Sequence, residues 1–111
     1  GDKVGGIIGY CVVGDIVEDC SVSNVSLKGY RDVGGVIGYR DTSKDGDNPV
    51  IVNNKVSNIN ITIDGTNGYK SDYDSEDDYS AGDIIGDTAG GTVDSSNTSS
   101  NCDIEYINVN F

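Results

Sequence analysis

Apolar residues in this chain come in short bursts separated by glycine and polar runs, and no 3.6-residue stripe links them. One burst is written twice, as VGGIIGY at residues 4–10 and VGGVIGY at 33–39, and a worn third copy, AGDIIGD, stands at 81–87. Within it, the parity Gly5, Ile7, Gly9 recurs as Gly34, Val36, Gly38 and as Gly82, Ile84, Gly86, free of charge in every copy. The opposite parity carries Asp83 and Asp87 in the third copy. Period two in a strand assigns alternate residues to opposite faces, so Ile7, Val36 and Ile84 are expected to stack inside. Ile8, Ile37 and Ile85 are expected to be partly covered near a corner.

Each burst is followed by a second shared element: CSVSNVSL at 20–27, NKVSNINI at 54–61 and CDIEYINV at 102–109. Aligned by these letters, Cys20 and Cys102 are equivalent, Asn54 stands with them, and Val22, Val56 and Ile104 form the next row. Cys20 and Val22 share one parity while Val25 and Leu27 share the other, so a straight strand cannot bury both pairs. A corner around Ser23 and Asn24 resolves the conflict, because Asn tolerates the backbone angles such a corner needs. The same arrangement is read at Val56, Asn58, Ile59 and Ile61, and at Ile104, Tyr106, Ile107 and Val109.

One bend per unit at the same place describes a coil. The expected fold is all-β, a parallel β-helix (β-solenoid) of about three coils with long polar loops, filling residues 1–111 as a single domain with repeats at 4–32, 33–80 and 81–111. The loops are the polar inserts at 41–49, 64–80 and 88–100, rich in turn formers and charge. Three repeats are about the minimum for such a stack. Support is therefore expected from a larger neighbour, from caps, or from self-association through the coil ends, whose strand edges are open.

Composition narrows the partners. The 111 residues include 16 Gly and carry 19 Asp+Glu against 7 Lys+Arg, a formal charge of −12. Such a surface repels nucleic acid and anionic lipid, and leaves cations, basic proteins and neutral glycans. No apolar run is long enough for a membrane span, and no signal peptide is visible. The chain has no Met and opens inside a repeat, so it reads as a mature fragment or an excised piece. Cys11, Cys20 and Cys102 are odd in number and lie at no zinc spacing, and His is absent. They read as small buried hydrophobes, or as one disulfide with a leftover thiol.

The stretch VGGIIGYCVVGDIVEDCSVSNVSLKGYRDVGGVIGY, residues 4–39, resembles the GLUG-type repeats of bacterial surface proteins, built on a G-G-[LI]-[VI]-G core followed by a strand such as I-x-N-C-x-V-x-N-V. The likeness is closest there, extends to 50–63, and is faintest over 81–111. It implies a right-handed parallel β-helix segment of a large secreted or surface-anchored bacterial protein, adhesin-like or flanking a peptidase. No catalytic residues come with it. In AGDIIGD, Asp83 replaces a glycine of the pattern, which is expected to mark a terminal, capping coil.

The sharpest chemical candidate is DTSKDGDN at 41–48. Asp41, Ser43 and Asp45 occupy positions one, three and five of a calcium-loop pattern, Gly46 fills its turn position, and Asp47 adds a further carboxylate. Val52 stands where the pattern needs a bidentate Glu, and an ordinary acidic turn is the competing reading. In SDYDSEDD, Asp74, Glu76, Asp77 and Asp78 form a solvated charge run that could gather an ion only by folding back. A polysaccharide lyase would need a base among Lys28, Arg31, Arg40, Lys44, Lys55 and Lys70, and none sits in a catalytic constellation. Of the seven tyrosines, Tyr10 and Tyr39 fall one coil apart and should stack, available either for packing over a corner or for a sugar. The sequence thus points to a non-catalytic extracellular module, a stalk or an adhesion surface toward a host protein or glycan. A Ca2+-dependent structural module and a polysaccharide-degrading enzyme are its alternatives.

Overall fold

In the computed structural model of the chain, residues 3–12, 14–41, 49–67, 80–89 and 91–109 are described. Among them are eleven strands, one 3-10 turn at Gly65–Asn67 and no α-helix. The first repeat supplies β1 (Val4–Gly5), β2 (Ile8–Cys11), β3 (Ile16–Glu18) and β4 (Ser21–Gly29). The second supplies β5 (Val33–Gly34), β6 (Ile37–Arg40), β7 (Val50–Val52) and β8 (Lys55–Asp64), and the third β9 (Ala81–Gly82), β10 (Ile85–Asp87) and β11 (Thr98–Ile107). The fold is all-β, and every pairing is parallel between equivalent strands of different repeats. Three sheets run β1-β5-β9, β2-β6-β10 and β4-β8-β11, and β3 pairs with β7 in a fourth; none closes into a barrel.

The repeated heptapeptide makes one tight corner per repeat. A side chain at Gly5, Gly34 or Gly82 would place its Cβ 2.1, 2.0 or 2.2 Å from the carbonyl oxygen three residues on, so only glycine takes this path. The corner also changes which residues face inward. Val36 and Ile37, adjacent in sequence, are both fully buried, and so nearly are Ile84 and Ile85. The expected division into a buried and a half-covered row is therefore corrected: the bend at residues 35–36 resets the parity, and Ile8, Ile37 and Ile85 form the row in strand register. Ile7, expected inside, is 41% exposed. Repeat 2 lies between the others and buries most, with Val33, Val36, Val56, Ile37, Ile59, Ile61 and Ile63 among its enclosed side chains.

The second element turns where expected. Asn24 and Asn58 have φ of 57° and 54°, and beyond Asn58 the buried parity switches from Val56 to Ile59, Ile61 and Ile63. The third repeat is registered differently from the sequence alignment. Cys102 and Ile104 pair with Ile59 and Ile61, while Ser99 pairs with Val56. The alignment on Cys102 would have put Tyr106 at the left-handed corner, which a bulky side chain resists. Asn101 holds that corner with φ 52°, and its Nδ2 donates to the Asn58 Oδ1.

A second row of corner residues centres on one buried amide. Cys20, Asn54 and Asn97 precede β4, β8 and β11 by one residue each. Asn54, fully buried, accepts the Cys20 N–H at 3.0 Å and donates Nδ2 to the Val17 carbonyl at 3.1 Å. Asn97 repeats the device one repeat later, accepting the Asn54 N–H at 3.1 Å and donating to the Ile51 carbonyl at 2.8 Å. A buried backbone group left unpaired is costly, and these amides supply what the strand ladders cannot reach at the corner. Outside, Asp64 ties all three repeats, meeting Lys28 Nζ at 3.2 Å and accepting from Asn108 Nδ2 at 3.0 Å and the Thr66 N–H at 2.9 Å.

Candidate binding face

Strand register sets Tyr10 of β2 beside Tyr39 of β6. Their rings stack with centroids 5.3 Å apart and planes 14° from parallel, as expected of equivalent residues on neighbouring parallel strands. Lys3 Nζ lies 5.9 Å from the Tyr10 centroid and 5.6 Å from that of Tyr39, within cation–π range of both. The Tyr10 hydroxyl donates to Asp41 Oδ2 at 2.9 Å. This hydrogen bond, with some burial and the Asp41 charge, raises the Tyr10 pKa above its ordinary value, so the phenol stays protonated as a donor. At the third place in the row stands Asp87, which accepts the Ala89 N–H at 2.7 Å through Oδ1.

The face therefore offers two stacked phenols, one ammonium and one carboxylate, and Tyr10 is 44% exposed. It can present an aromatic surface and hydrogen-bonding edges to a polyol or a peptide.

Asp41, first of the calcium-loop residues, is engaged by Tyr10; Ser43, Asp45 and Asp47 lie outside the described residues. So do Asp74, Glu76, Asp77 and Asp78, as well as Tyr69, Tyr73, Tyr79, Lys44 and Lys70. Among the described residues no group of three or more His, Cys, Asp or Glu side chains could hold a metal ion. Of the basic residues considered for a lyase, Lys28 meets Asp64, Arg31 Nε lies 3.5 Å from Asp32, and Arg40 Nη1 donates to the Thr92 carbonyl at 3.0 Å. Lys55, the remaining described one, is exposed and lines a cleft before β4 and β8. Tyr30 and Tyr106 pack half-buried against the core.

All three cysteines are free thiols. Cys11 is enclosed, and burial pushes its pKa up to about 11. Cys20 and Cys102 are half-buried and point their Sγ at the carbonyls of Glu18 and Ser100, at 3.2 and 3.4 Å. The sequence did not reveal a shallow polar cleft of about 400 Å³ at the corner before β4 and β8, lined by Asp19, Ser21, Asn53, Lys55, Ser96 and Thr98. Asp19 and Asn53 stand at its lip with φ of 56° each. The paired turn formers at 19 and 53 were the signal for it.

No family model, no curated protein and no solved structure matches the chain.

Proposed function

We propose that this chain is a non-catalytic module of a secreted or cell-surface bacterial protein, folded as a right-handed parallel β-helix of GLUG type, a stalk or adhesion surface toward a host protein or glycan. The observation that carries the reading is the repeat-on-repeat register, in which Asn24, Asn58 and Asn101 hold the same left-handed corner in successive repeats. A chain that returns to the same corner three times, always parallel to its previous pass, has the path of a wound coil. Parallel crossovers within one sheet are overwhelmingly right-handed, which supports that hand. The resemblance of residues 4–39 to the surface-protein repeats supports the location.

The exterior supports adhesion over turnover. Tyr10 and Tyr39 form an aromatic platform, and of the basic side chains a lyase would need, Lys28, Arg31 and Arg40 engage Asp64, Asp32 and Thr92, while Lys55 is exposed beside the cleft. A glycan array and a panel of host matrix proteins, run beside a screen for unsaturated sugar products, test this. Binding without product, weakened at least about tenfold by Y10A combined with Y39A, is the expected result. Product formation, or binding indifferent to both tyrosines, counts against the reading.

A further inference from the structure

The three glycines of the repeated motif do different work, and repeat 3 has lost one of them. A Cβ at Gly5, Gly34 or Gly82 would strike the carbonyl three residues on in its own repeat, and a Cβ at Gly86 would strike the Gly38 carbonyl of the preceding repeat at 2.5 Å. These constraints exist in repeat 3 as in the others, and Gly82 and Gly86 are kept. The middle glycine is different. A Cβ at Gly6 would lie 2.2 Å from the Gly35 carbonyl oxygen, and one at Gly35 would lie 2.0 Å from that of Asp83, each time in the following repeat. The following repeat therefore comes so close that only glycine fits beneath it. In repeat 3 this position is Asp83.

A second change accompanies it. A Cβ at Gly35 would also touch the Val56 side chain at 3.0 Å, and the residue in register with Val22 and Val56 in repeat 3 is Ser99. The Ser99 hydroxyl donates to Asp83 Oδ2 at 3.0 Å. Where repeats 1 and 2 set a glycine against a valine, repeat 3 sets a carboxylate against a hydroxyl, a polar pair drawn across the end of the apolar interior.

We propose that Asp83 is a steric stop that prevents a second copy of this chain from stacking its repeat 1 on repeat 3. A copy added in the register that joins repeats 1 to 2 and 2 to 3 would bring its Gly6 carbonyl onto the Asp83 Cβ, at the separation no Cβ tolerates. Such stacking is head-to-tail, does not close, and would grow into a fibre. The stop rests on the packing of repeats and not on what the exterior binds.

The test compares D83G/S99V with D83A/S99V by sedimentation velocity over a concentration series in about 0.5 M NaCl, which screens the charge of −12. D83A keeps the Cβ and D83G removes it. The expected result is concentration-dependent, open-ended association of D83G/S99V, with the wild type and D83A/S99V remaining monomeric. Equal association of the two variants, or a folded D83G/S99V that stays monomeric, overturns the proposal. A measurement on the wild-type chain needs no variant to fold: the amides of Asp83, Ile84 and Ile85 should show the same hydrogen exchange at low and high concentration. Protection of those amides that grows with concentration overturns it as well.

Discussion

Asn54 and Asn97 stack as a pair of side-chain amides, the Nδ2 of Asn54 donating to the Oδ1 of Asn97 at 3.0 Å. Through this pair the corner of each repeat is satisfied by its neighbour, since Asn54 also serves Cys20 and Val17 in repeat 1. Replacing Asn54 with Ala leaves the Cys20 N–H and the Val17 carbonyl without their partner in a closed environment. The expected loss is about 2–4 kcal/mol, read from the shift in urea midpoint.

Two isoleucines of the repeated motif separate by substitution. Ile37→Ala removes a side chain with no exposed surface and should cost about 2–5 kcal/mol. Ile7→Ala, at a side chain 41% exposed, should cost under about 1.5 kcal/mol. Equal effects in thermal or urea unfolding would contradict the burial of Ile37 and the exposure of Ile7.

Gly35→Ala places a methyl group 2.0 Å from the Asp83 carbonyl oxygen and 2.8 Å from Ile59 Cδ1. Backbone lies on one side and core on the other, so the repeats must separate. The expected cost is at least about 3 kcal/mol, with broadened unfolding. Gly91→Ala, whose Cβ would come no closer than 3.1 Å to Arg40 Nη2 and 3.3 Å to the Thr88 oxygen, should change stability by about 0.5 kcal/mol or less.

Two carboxylates give opposite pH dependences. Hydrogen bonds from Thr66, foremost, and then from Asn108 and Lys28 hold Asp64 well below the usual carboxylate range. Its contribution is present above the unfolded value near about 4 and is lost as pH falls below it, so D64N should flatten the acid limb of stability. Burial raises Asp32 against the opposing hydrogen bond from Ser80 and charge of Arg31. Its contribution is complete below about pH 4 and lost as pH rises through the raised value. D32N keeps a residue suited to the φ of 53° at this position. The stability of D32N relative to wild type should therefore increase between pH 3 and 7, measured by urea titration at each pH.

Much of the architecture was legible because its constraints are written in residue type. A corner that excludes every Cβ leaves a repeated glycine pattern, and a left-handed corner leaves asparagine, so the heptapeptide and the bends at Asn24 and Asn58 could be read directly. The third repeat misled because Cys102 resembles Cys20 in letter and not in place. The dipeptide Ser-Asn at 23–24, 57–58 and 100–101 holds the equivalent corners, and it occurs also at 96–97, so the register follows from the positive φ of Asn24, Asn58 and Asn101 and not from the letters alone. The Tyr10–Tyr39 stack followed from equivalence, whereas the contacts of Lys3 and Asp41 with Tyr10 depend on how corners bring separate segments together. The exchange of glycine for Asp83 was visible in the letters. Its partner Ser99 became recognisable only once the register was known.

Paired residues of repeats 1 and 2 are 29 positions apart at Cys11 and Arg40 and 34 apart at Ile16 and Val50, yet the ladder resumes without distortion of its partners. The pairing of β2 with β6 and of β3 with β7 thus accommodates five more residues between β6 and β7 than between β2 and β3. A frame that accepts added length between two paired strands can gain residues there without facing a new folding problem.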